Sequence, residues 1–172
     1  ASVSGNILMR DAKVADILDM IRVSTGKGVV LANLVTTKHN STVPHYLATS
    51  AGVDLQDSNT RGSLSMRGAS GAGTLDLEGA KVERNLILSR TNYKDGISRY
   101  QNVQHRDLVV EGQMLADGVV VERDISGFGL NVKKAVFLRN ARIFGKLSII
   151  ESVFLGSIFG ENALFQAGLD GA

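Results

Sequence analysis

A short phrase recurs along this chain, and internal repetition constrains a fold more strongly than any local propensity. Each copy has an apolar residue, a second one two positions later, a small residue three positions after that, and usually another apolar residue two further on. The copies are Ile7–Val14, Leu64–Gly71, Leu75–Val82 and Val136–Ile143. Such a phrase predicts short strands whose side chains alternate between inward and outward directions.

The spacing of these apolar pairs predicts a regular series of strands. If the two flanking residues of each pair point inward, the first inward residues are separated by five and six residues in alternation. Up to the middle of the chain they are Ile7, Ala12, Leu18, Val23, Val29, Leu34, Ser41, Tyr46, Val53, Ser58, Leu64, Ala69, Leu75, Ala80, Leu86, Thr91 and Ile97. The steps 34 to 41 and 46 to 53 are longer and predict loops near 37–40 and 49–52.

Beyond Ile97 the series can continue in two ways. Strict alternation would bury Arg99, Asn102, Gln113 and Asp124, and an unpaired buried polar group costs about 1–3 kcal/mol. One extra residue, a bulge near 98–102, removes most polar residues from the core. The inward series is then Val103, Leu108, Met114, Val119, Ile125, Leu130, Val136, Ala141, Leu147, Ser152, Ile158, Ala163 and Leu169. We predict this second register.

Steps of this length predict a chain that turns a corner after every strand, with four sides and about 22 residues per coil. The whole series gives about thirty sides, or roughly seven and a half coils, in one all-β solenoid domain over residues 1–172. Each coil covers the next, so the end coils would need caps.

Several phrases resemble those of the pentapeptide-repeat proteins, whose unit pairs a small residue with Leu or Phe two positions later. The pairs that fit are Ala80-Lys-Val82, Ala141-Arg-Ile143, Ser152-Val-Phe154 and Ala163-Leu-Phe165. The resemblance covers nearly the whole chain and implies a right-handed, four-sided parallel β-helix. The variant it resembles is a loose one, in which five- and six-residue steps alternate.

The N-terminal segment allows a second interpretation. Four apolar residues lie at helical spacing, Val14, Ile17, Leu18 and Ile21, with Asp11 as a possible N-cap and Gly26 as a stop. Residues 10–31 also resemble the strand–helix–strand opening of the periplasmic N-terminal domain of secretins, which implies an envelope protein. We favour the coil, because it explains why Ile7–Val14 recurs at Val136–Ile143, and keep a short helical cap at 14–24 as the alternative.

The residues that usually carry catalysis or bind metals are sparse. The chain has no Cys, and its three histidines are His39, His45 and His105. The spacing of the first two is poor for a metal site, and His105 is expected to be structural. Asp11, Asp16 and Asp19 form the densest acidic group, which is expected to lie at the surface. The sequence predicts no enzyme, cofactor or metal.

The outward positions predict a contact surface. One side of the predicted stack carries Ser24, Leu47, Ser70, Asn92, Leu115, Phe137 and Phe159, and an adjacent side adds Ile87, Val109 and Val153. Contiguous exposed apolar surface often marks a contact site. The sequence therefore predicts a non-enzymatic interaction module that binds a protein partner, or its own copy, through Leu115, Phe137, Phe159, Ile87, Val109 and Val153.

Charge and hydropathy limit the other partners. The 19 basic and 17 acidic residues are interspersed, which makes nucleic acid an unlikely partner. The resemblance also implies a DNA-mimicking topoisomerase inhibitor as an alternative, but a formal charge of +2 argues against the anionic surface that this role needs. No apolar run approaches the ~20 residues of a membrane-spanning helix. The cellular compartment is left open.

Overall fold

The computed structural model describes residues 1–15, 17–32, 34–37, 52–71, 73–90 and 107–171. These residues form 26 short strands and no helix. The strands belong to four parallel sheets, named A to D in the order in which the chain visits them. The described part of the chain is thus an all-β parallel solenoid, as the sequence predicts.

Sheets A and B have seven strands each. Sheet A contains β1 (Ser2–Val3), β5 (Ser24–Thr25), β9 (Asn59–Thr60), β13 (Lys81–Val82), β17 (Val120–Val121), β21 (Arg142–Ile143) and β25 (Leu164–Phe165). Sheet B contains β2 (Ile7–Arg10), β6 (Val29–Ala32), β10 (Leu64–Ser65), β14 (Leu86–Ile87), β18 (Ile125–Ser126), β22 (Leu147–Ser148) and β26 (Leu169–Asp170).

Sheets C and D have six strands each. Sheet C contains β3 (Lys13–Ala15), β7 (Val35–Thr37), β11 (Ser70–Gly71), β15 (Leu108–Val110), β19 (Leu130–Val132) and β23 (Val153–Phe154). Sheet D contains β4 (Ile17–Asp19), β8 (Gly52–Asp54), β12 (Leu75–Asp76), β16 (Met114–Leu115), β20 (Val136–Phe137) and β24 (Ile158–Phe159).

The ladder register sets the length of a coil. Ile7 pairs with Val29 and Ile125 with Leu147, an offset of 22 residues. The described residues contribute 26 strands to the four sides, so this part of the chain makes six and a half turns. The predicted thirty sides and seven and a half coils are more than the described ladders contain.

The surplus in that prediction comes from two segments that the strand pairing bypasses. In sheet D, β4 pairs directly with β8, and in sheet B, β14 pairs directly with β18, so neither ladder has room for another strand. The predicted sides that begin at Ser41, Tyr46, Thr91, Ile97 and Val103 lie outside the described residues. The bulge at 98–102 also lies outside them, as do most residues of the predicted loops; Thr37 ends β7 and Gly52 begins β8.

The register chosen after residue 97 is confirmed. Leu108, Met114 and Val119 are buried at inward positions, whereas Gln113 and Asp124, which the rejected register would bury, are exposed.

The helical alternative for residues 14–24 is wrong. This segment contributes β3, β4 and β5, and Leu18 pairs with Val53 of the next coil. Val14 and Leu18 pack against the core, while Ile17 and Ile21 are exposed, as strand alternation and corner positions require. A helix here would also leave the backbone of β7 and β8 without ladder partners on this side. The secretin-like strand–helix–strand opening is therefore not present.

The corners explain the alternation of five- and six-residue steps. The five-residue steps cross the corner between sheets B and C and the corner between sheets D and A (the B–C and D–A corners). Each of these corners is a two-residue turn whose second residue can adopt the left-handed conformation. At the D–A corner these residues are Arg22, Asp57, Gly79, Gly118, Asn140 and Asn162, with φ between 53° and 67°. The six-residue steps cross the A–B and C–D corners with one more residue.

Hydrogen bonds between coils reinforce the A–B corner. The side chains of Asn6, Asn85 and Asp124 accept hydrogen bonds from the backbone N–H groups of Gly28, Asp124 and Lys146 in the following coil. Inside the stack, Leu31, Leu64 and Leu86 have no exposed surface. Together the corner ladder and the apolar interior hold neighbouring coils in one register. That residues 1–172 make a single domain remains a prediction.

Candidate interaction surface

The outward face of sheet D carries one column of side chains that changes chemistry halfway along the stack. Strand pairing aligns Asp19 with Asp54 and Leu115 with Phe137, and Phe137 in turn with Phe159. In order along the solenoid the column is Asp19, Asp54, Asp76, Leu115, Phe137 and Phe159. We call the first three residues the anionic half and the last three the apolar half.

The apolar half is ordered by aromatic stacking. The rings of Phe137 and Phe159 lie parallel, with 5.0 Å between centroids and an interplanar angle of 14°. Leu115 and Phe137 are half-buried, and Phe159 is 40% exposed. The in-register ladder thus presents a continuous apolar surface that grows more exposed toward the C-terminal end.

A charged corner borders this apolar half. The guanidinium of Arg139 lies 5.3 Å from the Phe137 ring centroid, and its Nε donates to Asp117 Oδ2 at 2.8 Å. The hydrogen bonds to Asp117 raise the pKa of Arg139, so the cation is fixed at the rim of the apolar half. An apolar centre with a polar rim is the usual arrangement of a protein–protein interface.

The anionic half is held rigid by its own backbone. Oδ1 of Asp19, Asp54 and Asp76 each accepts a hydrogen bond from the N–H two residues later, at 2.9–3.0 Å. Partial burial raises the pKa of Asp76, and the charges of Asp54 and Asp57 add to the rise, while the hydrogen bond from Glu78 N opposes it. The column therefore concentrates negative charge on one part of the face.

The structure places the six predicted contact residues on three sides. Leu115, Phe137 and Phe159 share sheet D, whereas Val109 and Val153 lie on sheet C with Asn131 between them. Ile87 lies on sheet B, on the side of the coil opposite sheet D.

The rest of the predicted column is assigned to the wrong sides. Ser24 belongs to sheet A and Ser70 to sheet C, while Leu47 and Asn92 lie outside the described residues. The error arises because the prediction places further sides between β7 and β8 and between β14 and β15, and the described ladders contain no strands for them. For the same reason Asp54 and Asp76 were not predicted on this side, although each directly follows the buried inward residue of its strand, Val53 or Leu75.

The other candidate groups do not assemble into a catalytic site in the part of the chain that the structure describes. His39, His45, His105 and Asp16 lie outside it, and the described residues contain no cluster of His, Cys, Asp or Glu that could hold a metal ion. A cavity of about 10 Å³ between sheets C and D is lined by residues such as Leu34, Val53 and Met66. That volume holds about one water molecule. No described helix is long and apolar enough to span a membrane.

Comparisons with known proteins leave the fold without a family assignment. A scan against protein-family models, a search of curated proteins and a search of solved structures each found no match.

Proposed function

We propose that this chain is a non-enzymatic structural or protein-interaction module, a rigid solenoid whose sheet D side binds a protein partner or another copy. The observation that carries the proposal is the in-register column Leu115, Phe137 and Phe159, with its stacked rings and the Arg139–Asp117 pair at its rim. Outward positions in a solenoid are normally polar, so an ordered apolar column on the outside indicates a contact with another molecule rather than a role in core packing. The likeness to pentapeptide-repeat proteins belongs to the same proposal.

The test compares the apolar half with a matched position on the opposite side. Proteins captured by the unmodified chain are identified, purified and rebound to three chains: unmodified, Phe137→Ser with Phe159→Ser, and Ile87→Ser. We expect binding to weaken at least tenfold in the sheet D variant, because aromatic residues commonly dominate interface energy, and to persist in the sheet B variant. Equal binding by all three chains, or the absence of any partner and of self-association, would overturn the proposal.

A DNA-mimicking role is the second candidate, and the anionic half favours it. Asp19, Asp54 and Asp76 present carboxylates from neighbouring coils of one face. On this hypothesis, adding the chain should lower the DNA supercoiling activity of a type II topoisomerase. The double variant Asp54→Asn with Asp76→Asn should leave that activity at its ordinary level. A supercoiling rate that the chain leaves unchanged would remove this candidate.

A further inference from the structure

The solenoid separates its charges by side, although acidic and basic residues are interspersed along the chain. Among the described residues, sheet D and the D–A corner carry seven acidic and two basic side chains, a net of −5. Sheet A and the A–B corner carry seven basic and three acidic described side chains, a net of +4. The whole chain has a formal charge of only +2. Coiling therefore collects on single sides charges that nearly cancel in the composition.

Four cations occupy consecutive coils at the A–B corner. This cationic ridge consists of Lys27, Arg61, Arg84 and Arg123, which follow strands β5, β9, β13 and β17. Because neighbouring strands lie about 4.8 Å apart, the ridge is about 14 Å long. All four residues are exposed. Successive members are 34, 23 and 39 residues apart in the chain, so no local run of charge reveals the ridge.

The ion pairs at this corner engage other residues. Lys81 Nζ lies 3.7 Å from Glu122 Oε1, and Lys146 Nζ lies 2.6 Å from Asp170 Oδ2. The carboxylate of Asp124 accepts a hydrogen bond from the backbone N–H of Lys146. In the part of the chain that the structure describes, none of the four ridge cations forms an ion pair.

The alignment of the ridge does not stabilise the folded chain. Like charges on neighbouring strands are destabilising, and the ridge repeats this arrangement over four coils. An anionic group that meets several ridge cations at once removes the repulsion. The ridge is therefore suited to a ligand that carries several negative charges.

The residue types at the ridge indicate which anion fits. Three of the four cations are Arg, whose planar guanidinium binds a carboxylate or a phosphate through two parallel hydrogen bonds. Glu83 and Glu122 directly precede Arg84 and Arg123 at the same corner. A nucleic-acid backbone carries a negative charge on every nucleotide, so these two carboxylates repel it. An acidic polypeptide can place neutral or cationic residues opposite them, and the ridge therefore favours a polypeptide.

We propose that the cationic ridge binds an acidic segment of a protein partner. Carboxylates of that segment accept hydrogen bonds from Arg61, Arg84 and Arg123 and pair with the ammonium group of Lys27. Because the ridge is exposed, binding weakens as the salt concentration rises. The ridge is separated from sheet D by the width of sheet A, so the proposal is independent of what binds the apolar half.

Fluorescence anisotropy of the 172-residue chain with a labelled peptide tests the ridge. The probe is a twelve-residue peptide of alternating Glu and Ser, and a twelve-nucleotide oligo(dT) is the comparison. We expect the chain to bind the peptide more tightly than the oligonucleotide. The triple variant Arg61→Gln, Arg84→Gln and Arg123→Gln should weaken peptide binding by roughly tenfold, because three ion pairs are lost.

A second triple variant is the matched control. Lys13→Gln with Lys133→Gln and Lys134→Gln removes the same charge from sheet C and the C–D corner. At about 0.1 M ionic strength, charges more than about 10 Å apart are largely screened, so this variant should bind the peptide like the unmodified chain. The arginine variant should unfold at an unchanged or higher temperature, since it removes repulsion. Its weaker binding is then not a loss of folding.

Carbodiimide coupling locates the peptide on the unmodified chain. The reagent joins a peptide carboxylate to a neighbouring lysine amine as an amide and takes up the water that is lost. The peptide should be joined to Lys27 in preference to Lys133 and Lys134. Coupling at Lys133 or Lys134 instead, equal weakening by the two triple variants, tighter binding of the oligonucleotide, or no peptide binding would each overturn the proposal.

Discussion

At the scale of single residues, strand pairing in the solenoid places side chains of similar chemistry next to each other. This stabilises neighbouring apolar groups and destabilises neighbouring charges of the same sign. The ring of Phe137 gains contact with that of Phe159 because strand pairing places them in register. The same register brings Asp76 beside Asp54, and partial burial raises the pKa of Asp76. Like charges opposite each other in a ladder are destabilising.

The carboxyl of Asp76 therefore opposes folding when it is ionised. Because its pKa is raised in the folded state, the folded chain holds the proton more tightly, so stability falls as pH rises from below the ordinary value of 3.8 through the raised value. Asp76→Asn keeps an oxygen for the Glu78 N–H and should increase the free energy of unfolding at pH 7 by about 0.2–1 kcal/mol.

Urea unfolding at pH 7 and near pH 3 measures this effect. The gain should disappear at the lower pH, where Asp76 is protonated in the parent. Asp124→Asn is the matched control, since Asp124 accepts from Lys146 N at the A–B corner and lies away from the sheet D column. A gain for Asp76→Asn that is the same at both pH values would contradict the electrostatic cause.

At the scale of elements, the corners determine where the chain can turn, and each corner type has its own requirement. Gly118 turns at the D–A corner with φ of +67°, and an added Cβ there would meet no atom within 4 Å. Gly112 turns at the C–D corner, where an added Cβ would lie 2.6 Å from the carbonyl carbon of Gly73. At Gly118 the left-handed backbone conformation restricts which residues are tolerated. At Gly112 the close approach of the neighbouring coil does so.

Substitutions at these two glycines should separate the two requirements. Gly118→Asn should change stability little, because Asn140 and Asn162 adopt the same conformation in the same column. Gly118→Val should cost about 1–2 kcal/mol, the strain of a left-handed conformation for a side chain. Gly112→Ala should cost more than Gly118→Ala, since two backbones must separate. Thermal unfolding of the four variants checks the order, and equal losses at Gly112 and Gly118 would contradict it.

At the scale of the whole molecule, stability should be distributed unevenly along the stack. Leu86 and Leu169 occupy the same inward column of sheet B, but Leu86 has no exposed surface and Leu169 lies in the open last turn. In a solenoid, each coil draws its stability from its neighbours. The last coil has one neighbour in the described chain, so it should open most easily.

Two Leu→Ala truncations, one in the middle of the stack and one in the last turn, measure how stability decreases toward the end of the stack. Leu86→Ala should cost about 2–5 kcal/mol, as buried truncations do, whereas Leu169→Ala should stay within about 0.5 kcal/mol, as surface changes do. Hydrogen exchange should show the weakest protection in β23 to β26. Uniform protection along the stack would contradict the gradient.

Most of this architecture could be predicted from the chain itself, because the steps between inward residues are local. The recurrence of Ile7–Val14 at Val136–Ile143 and the cost of burying Gln113 or Asp124 were enough to choose the register of the second half. The number of coils could not be predicted, because Ser41 and Tyr46 continue the spacing in the sequence, whereas the described ladder of sheet D passes directly from β4 to β8. Only pairing between distant residues, such as Val29 with Leu64, distinguishes a side from a connection of similar periodicity. The sheet D column depends on that pairing, and so its anionic half was missed.

The change of chemistry along sheet D also gives the side of the solenoid a direction. A face with one chemistry throughout would accept an elongated partner either way round. Here carboxylates precede the apolar residues along the axis, so a partner with a cationic segment followed by an apolar one fits in a single orientation, its cationic segment toward the first coils. A partner bound to this face would thereby be aligned with the chain direction of the solenoid.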